Sequence, residues 1–304
     1  MELPDTLQKL YRHWPKHAVP IAPGDLSEVI TDPELRHDIE DFIAERVAIW
    51  AKKQRGETAP YTHDPILRTF RFCNILRELD RQTIEYHELI NPLRNNFPLW
   101  LLNMFYARMV ARPETLRTVG LLSYETTKNE QLLKRLLALP RPRYGTPYVF
   151  PVSTILRSAT PTRELFIARY LPTVIPRIAD EIETWNGQSV EQGIKKILPL
   201  FGYGLSFLWT EVLIDTAYQF PDRVDLFGSF PVGPGAAPTF ARISSDNPAD
   251  VAQKLGSLRV QSGITYQNTP LVLSSENWEG IGCEFRKYTN LSSGKGRRRY
   301  YKSL

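Results

Sequence analysis

The sequence has little cysteine and no long apolar run. Its 304 residues include two cysteines, Cys73 and Cys283, which cannot make a disulfide framework and favour a reducing compartment. No apolar stretch approaches the ~18–20 residues that cross a bilayer, so we expect no membrane partner. The opening MELPDTLQKLYRHW also lacks the basic-then-apolar layout of a signal peptide. These features predict a cytoplasmic protein.

Several catalytic motifs are missing as well. No G-x-x-x-x-G-K-[ST] occurs, because SGKGRRR lacks the first glycine and the closing hydroxyl, and this argues against an ATP-driven P-loop kinase. G-x-S-x-G is absent, and the cysteines lie too far apart for CxxC zinc or thioredoxin chemistry. All five histidines lie in the first 87 residues. A general base in the C-terminal half would therefore be Asp, Glu, Lys or Tyr.

What the sequence does have is a basic C-terminus. The net charge is +5, and the segment SGKGRRRYYKSL carries five cations and no acid. Cations interleaved with tyrosines suit a phosphate backbone and a stacked base, although a solubilising tail is an equal alternative. The candidate DNA contacts in this tail are Lys295, Arg297, Arg298 and Arg299.

Hydrophobic periodicity predicts a mainly α fold with a few short strands. Residues 1–58 form a predicted helical lead-in to a larger domain, residues 59–304. Thr31 is the candidate N-cap of a helix with Pro33 in its first turn. The central RPRYGTPYVFPVSTI predicts a loop or short hairpin. The last stretch predicts a short helix near NPADVAQKLGSLRVQSG and less regular sequence around it.

The segment FRFCNILRELDR, residues 70–81, has the spacing of an amphipathic helix. On a helical wheel Phe72, Ile75, Leu76 and Leu79 form a core stripe, and Phe70, Asn74, Arg77 and Arg81 form a second stripe opposite them. Two arginines, an amide and an aromatic ring could face a phosphate and a base. A solvated outer face is the alternative.

Residues 197–216, ILPLFGYGLSFLWTEVLIDT, place a G-x-G turn between two predicted helices. Gly202 and Gly204, with Tyr203 between them, let backbone N–H groups approach a phosphate beside a helix N-terminus. The pattern resembles the L-P-x-x-G-x-G hairpin of helix-hairpin-helix DNA glycosylases, which implies a sequence-independent grip on DNA. A plain corner between two helices is the alternative.

The order FRFCNILRELDR, FGYGLSFLWTEVLIDT, VGPGA, ENWEGIGCEFRKY and then a basic tail resembles the amino acid:DNA transferases, or α-glutamyl/putrescinyl thymine pyrophosphorylases. These are related to the helical domain found with 5-hydroxymethyluracil DNA kinases and are typically encoded by bacteriophages. The resemblance covers residues 64–301. It implies a DNA-glycosylase-like helical fold, a location in the host cytoplasm, and replacement of pyrophosphate on a modified thymine in DNA by an amine.

Within the first signature, the resemblance implies site roles for Arg71, Asn74, Arg77, Asp80 and Arg81. Arg77 and Arg81 are expected to contact pyrophosphate or backbone phosphate, because guanidinium groups neutralise such anions well. Asn74 is expected to read the uracil edge. Asp80 is expected to support an arginine, with a simple intrahelical pair as the alternative.

The second signature, CEFRKY, supplies Glu284 as a base or orienting group and Lys287 as an anion contact. The two share a face if the segment is a helix and not if it is a strand. Asp215 matches a family acidic position, and Asp225 falls near the catalytic aspartate of the glycosylases; either could take the proton of the amine. Ser206 stands where some glycosylases have a lysine, which puts Schiff-base chemistry in doubt.

The resemblance implies double-stranded DNA with a modified thymine and a small amine or amino acid as substrates, with a 5-hydroxymethyluracil DNA kinase in the same pathway. No cofactor is certain, although Mg²⁺ commonly accompanies pyrophosphate. The alternatives are a base-excision glycosylase and a non-catalytic DNA-binding helical module. The loop VGPGA, residues 232–236, could form an anion-binding nest or a simple turn.

Overall fold

The computed structural model describes residues 1–12, 14–17, 24–145, 160–296 and 299–300. It is mainly helical with a few short strands, which confirms the predicted fold class. The α-helices are Asp5–Leu10, Trp14–His17, Pro33–Gln54, Pro65–Thr69, Arg81–Ile90, Phe97–Val110, Pro113–Val119, Thr126–Ala138, Arg163–Leu165, Leu171–Glu183, Val190–Phe201, Ser206–Gln219, Ala237–Ile243, Pro248–Ser257 and Ser275–Ser292. Single 3₁₀ turns occupy Leu26–Glu28, Arg77–Leu79 and Asn91–Leu93, and Phe166–Tyr170 is π-helical.

The chain divides into two compact units. The first combines residues 1–80 with residues 226–304, and the second is residues 81–225. The predicted lead-in, residues 1–58, lies wholly within the first unit; its division from a catalytic domain stays a prediction. Most of the predicted loop or hairpin in the centre, residues 146–159, lies outside the described residues.

In the first unit the Pro33–Gln54 helix starts one residue later than the sequence predicted. Its N-cap is Asp32, not Thr31, because the Asp32 carboxylate accepts bonds from the N–H groups of Glu34 at 3.0 Å and Leu35 at 3.2 Å. A carboxylate satisfies two of the first free N–H groups and also favours the positive helix end. Pro33 follows in the first turn, as predicted.

The C-terminal part of the first unit is more regular than the sequence predicted. Strands Gln261–Tyr266 and Thr269–Val272 form an antiparallel hairpin whose turn residues, Gln267 and Asn268, both have positive φ. Such a turn matches the twist of the two strands. An 18-residue helix, Ser275–Ser292, follows and is referred to below as the C-terminal helix. It starts at a capping box made by Ser274 with Asn277, in which asparagine stands in place of the usual Glu or Gln.

The second unit is built around the buried helix Phe97–Val110, which packs against Leu171–Glu183 and Ser206–Gln219. Large apolar side chains such as Trp100 and Trp209 are fully buried there. A short parallel pair, Gln188–Ser189 with Val224–Asp225, accompanies the helices. Within the described residues, no helix has both the length and the apolar character to cross a bilayer.

Candidate functional site

Residues 70–81 do not form the predicted helix. Phe70 makes an isolated antiparallel bridge with Tyr300, the next residues are extended or bent, and Arg77–Leu79 is one 3₁₀ turn. A new helix begins at Arg81. The helical stripe that was to align Phe70 with Asn74, Arg77 and Arg81 is therefore wrong. The predicted burial is confirmed for Ile75, Leu76 and Leu79, which are in the core, whereas Phe72 is only half-buried.

Residues 71–80, called the site loop below, do not form an α-helix because side chains occupy several of their backbone groups. Arg46 Nη2 donates to the Cys73 carbonyl at 2.9 Å, and the Cys73 N–H donates to Glu284 Oε2 at 2.9 Å. The Asn74 N–H donates to Asp80 Oδ1 at 3.0 Å. These side chains satisfy the polar groups that a helix would otherwise pair with each other.

The CEFRKY segment is helical, so the helical alternative for Glu284 and Lys287 is confirmed. Their charged groups lie 3.3 Å apart on one face of the C-terminal helix. Lys287 Nζ donates to the Arg71 carbonyl and lies 4.4 Å from the centre of the Phe72 ring. Glu284 and Lys287 thus both bind the site loop, and the two sequence signatures meet in one unit.

Asp80 carries a carboxyl group of the site loop, and its pKa is shifted toward neutral pH. Its Oδ1 accepts from both the N–H and the side-chain amide of Asn74, at 3.0 and 3.1 Å, whereas Oδ2 accepts no hydrogen bond from the described residues. Burial raises the pKa of Asp80 to about 6; the Asn74 bond and the Arg77 charge oppose this, and Glu284 adds to it. A carboxyl with this pKa can exchange a proton near neutral pH.

The two cysteines do not fit a nucleophilic role. Desolvation and the carboxylates of Asp80 and Glu284 raise the pKa of Cys73 to about 12. Burial and nearby carboxylates, Glu284 first, raise the pKa of Cys283 to about 11. Both thiols therefore stay protonated at neutral pH, and the thiolate is the reactive form.

The VGPGA loop packs on the C-terminal helix. Its Gly233 N–H donates to Glu279 Oε1 at 3.2 Å, so a carboxylate of the protein itself occupies this backbone donor. Gly235 approaches Cys283 so closely that a Cβ added there would lie 2.7 Å from Sγ. Burial raises the pKa of Glu279, while the Arg77 charge opposes the rise.

The basic tail joins the same unit. The Arg71 N–H donates to the Arg299 carbonyl at 2.8 Å, and the side chains of Arg71, Lys295 and Arg299 are exposed. Arg297 and Arg298, also predicted to contact DNA, lie outside the described residues.

Comparison with known proteins identifies the family of this chain. A family profile described as "5-hmdU DNA kinase, helical domain" matches residues 34–296. The chain belongs to this family. A 5-hmdU DNA kinase of Bacillus phage SP10 is 28% identical over 316 aligned positions, covering 91% of this chain and 49% of that kinase. The chain therefore spans about half the length of this relative. No solved structure matches the chain.

The match to the 5-hmdU DNA kinase helical domain includes both signatures, the site loop and CEFRKY. The relation to that helical domain, inferred from the sequence, is thereby confirmed. Membership of the transferase branch stays a prediction.

The other predicted acids of this family member lie in the second unit. Asp215 is fully buried, 2.6 Å from Arg108 Nε and 3.1 Å from His87 Nε2. Burial alone would raise the pKa of Asp215, but the Arg108 guanidinium and His87 bring it well below its usual range. This environment favours a structural role for Asp215, and its role as a base stays a prediction. Asp225 lies in the short strand paired with Ser189, and its role also stays a prediction.

The predicted hairpin is a four-residue connection between Val190–Phe201 and Ser206–Gln219. Gly202 has a φ of 77° and ends the first helix, a position that favours glycine. Gly204 is exposed, and Tyr203 is half-buried against the rings of Phe166 and Tyr170. The turn is present, and its grip on DNA stays a prediction.

Arg81, the last predicted phosphate contact, starts the Arg81–Ile90 helix and pairs with Glu85 at 2.7 Å. Among the residues that the structure describes, no group of three or more His, Cys, Asp or Glu side chains could hold a metal ion. Entry of Mg²⁺ together with pyrophosphate stays a prediction.

Proposed function

We propose that the chain is a DNA-modifying transferase of thymine hypermodification, which replaces the pyrophosphate of 5-pyrophosphoryloxymethyluracil in DNA with an amine. The observation that carries this proposal is the meeting of the two signatures. A carboxyl whose pKa is raised to about 6, Asp80, lies in a loop held by Glu284 and Lys287 and flanked by Arg46 and Arg77. Membership of the 5-hmdU DNA kinase helical-domain family supports the substrate class.

The reaction makes two demands on the residues of the proposed site. The amine nitrogen attacks the exocyclic methylene carbon, a C–N bond forms, and the C–O bond breaks with its electron pair leaving on pyrophosphate. Asp80 takes the proton released by the amine, since it is mostly ionised at pH 7 and its Oδ2 accepts no bond from the described residues. Arg77 and Lys287 offset the charge of the leaving group. Glu284 orients the loop through the Cys73 N–H.

A DNA-binding helical module that works with a kinase is the second candidate. The observation that favours it is the combination of the family description, a helical domain, with coverage of 49% of a kinase. The lack of a Walker A motif in this chain fits a part that holds the DNA rather than the nucleotide.

Nucleoside mass spectrometry separates these functions. Duplex DNA carrying 5-pyrophosphoryloxymethyluracil is incubated with the protein and glycine, glutamate or putrescine in turn. A base that loses pyrophosphate and gains the mass of the amine supports the transferase. An abasic site supports a glycosylase, and bound but unchanged DNA supports the helical module; either outcome overturns the transferase.

The variant Arg77→Ala tests the site within that assay. We expect turnover to fall at least about 100-fold, since one preorganised charge at a leaving group contributes this much. Arg12→Ala, an exposed arginine of the same unit, is the matched control and should keep full turnover. Helical circular dichroism should be unchanged in both. Near-normal turnover of Arg77→Ala contradicts its role.

A further inference from the structure

Tyr300 of the tail makes an isolated β-bridge with Phe70, directly before the site loop. Phe70 and Tyr300 face each other in an antiparallel bridge, and the neighbouring Arg71 N–H donates to the Arg299 carbonyl at 2.8 Å. In this register Phe70 and Tyr300 are a non-hydrogen-bonded pair, the type that brings side chains closest. Their ring centres are 5.4 Å apart, with 35° between the planes. The bridge therefore holds two aromatic rings together at the surface.

The Tyr300 ring is open to a partner. Tyr300 is 59% exposed, although one side of its ring lies against Phe70. A surface ring held by a backbone hydrogen bond and a ring contact loses less freedom when a second ring stacks on it. Other large exposed hydrophobic residues of the described chain include Tyr124 and Phe207, which belong to the second unit.

The surroundings of Tyr300 identify the chemistry of the partner. Arg71, Lys295 and Arg299 are exposed in the same unit, and no acid occurs between Lys295 and the C-terminus. The charged amino group of Lys287, which donates to the Arg71 carbonyl, is a further cation of this unit. An exposed ring whose bridge is flanked along the chain by the cations Arg71 and Arg299 matches a ligand that alternates negative charges with flat rings, which is a nucleic-acid strand.

We propose that Tyr300, backed by Phe70, is a stacking platform for an unpaired nucleobase, with Arg71 and Arg299 on the adjoining phosphates. This deepens and rests on the proposed function, because an enzyme that acts on a base in duplex DNA must unstack the strand around it. The platform binds the strand next to the target base, whatever chemistry follows at Asp80.

Fluorescence anisotropy with two labelled single strands tests the platform. One is a thymidine 10-mer, and the other is an abasic 10-mer with the same phosphates. We expect Tyr300→Ala and Tyr300→Leu to weaken binding of the thymidine strand about fivefold or more and to leave the abasic strand within about twofold. Tyr300→Phe should bind both like the wild type, and Tyr124→Ala is the matched control without effect.

Arg299→Ala provides the opposite pattern. It should weaken both strands by the same factor and lower the salt dependence of binding by about one charge. Equal affinities of wild type and Tyr300→Ala for the thymidine strand, or an equal loss on both strands, overturn the platform.

The two proposals fail in different ways. If the wild type modifies DNA in the nucleoside assay while Tyr300→Ala binds the thymidine strand normally, only the platform is wrong. If the wild type binds neither strand and modifies no DNA, the proposed function and the platform are both wrong.

Discussion

Two aspartates, one in each unit, have pKa shifts of opposite direction because their hydrogen-bond donors differ. Asp215 is fully buried and bonds to the ionised Arg108 guanidinium and to His87, so its pKa lies well below the usual range. Asp80 is half-buried and bonds to the uncharged donors of Asn74, so burial raises its pKa to about 6. At Asp215 the charged donor in direct contact outweighs burial, whereas at Asp80 the uncharged donors of Asn74 do not.

The largest expected effect on stability comes from a substitution of Asp215. Asp215→Asn removes the nearer of two buried carboxylates that pair with Arg108, because Glu211 stays 3.6 Å from the guanidinium, and it leaves the cation with weaker compensation. We expect the free energy of unfolding at pH 7 to fall by about 3 kcal/mol or more, measured by urea titration. Asp180→Asn, an exposed aspartate of the same unit, should change it by less than about 0.5 kcal/mol.

The pH dependence of that loss has a defined sign. Because the folded pKa of Asp215 lies below that of the unfolded carboxyl, its stabilisation is present above about pH 4 and is lost as pH falls further. The difference between wild type and Asp215→Asn should therefore shrink in acid. A variant as stable as the wild type at pH 7 but lacking amine transfer would instead support the catalytic prediction for Asp215.

Asp80→Asn, in the first unit, should stabilise the fold, whereas Asp215→Asn should destabilise it. The pKa of about 6 lies above the 3.8 of an unperturbed carboxyl, so the folded chain holds more protons between pH 4 and 6 and stability falls as pH rises through this window. Asp80→Asn, which keeps an oxygen for the Asn74 bonds, should raise the free energy of unfolding at pH 7 by about 1–2 kcal/mol.

The same variant should lose amine transfer, and the wild-type rate should rise with pH to a plateau above a midpoint near 6. Urea titrations at pH 4 and pH 7 and a pH–rate profile measure both effects. A gain in stability at pH 4 equal to that at pH 7 would show that ionisation of Asp80 is not the cause. Retained transfer would remove Asp80 as the base.

The smallest expected effect is on the packing of the VGPGA loop against the C-terminal helix. Gly235→Ala would bring a Cβ to 2.7 Å from Cys283 Sγ, which must rotate or shift. We expect a loss of about 1 kcal/mol in the free energy of unfolding. The double variant with Cys283→Ala should show less than the sum of the two single losses. Additive losses would show that the two positions do not press on each other.

For residues 70–81 the sequence predicted the buried aliphatic side chains correctly and the backbone conformation wrongly. Hydrophobic spacing correctly predicted that Ile75, Leu76 and Leu79 are buried. The same spacing predicted a helix over residues 70–81, which the structure does not have. Periodicity registers which residues face the core and says nothing about distant side chains that compete for backbone groups. The Cys73 N–H goes to Glu284, which is 211 residues away.

By itself the sequence determined the mainly helical fold, the relation to the 5-hmdU DNA kinase helical domain, and the two segments that contain the candidate residues, because these depend on residue types and their local order. Only the tertiary structure decided that Asp215 accepts from the charged Arg108 while Asp80 accepts from the uncharged Asn74, and that Tyr300 lies beside Phe70. A pKa and a strand pairing depend on which groups become neighbours in space, and local order along the chain does not specify that.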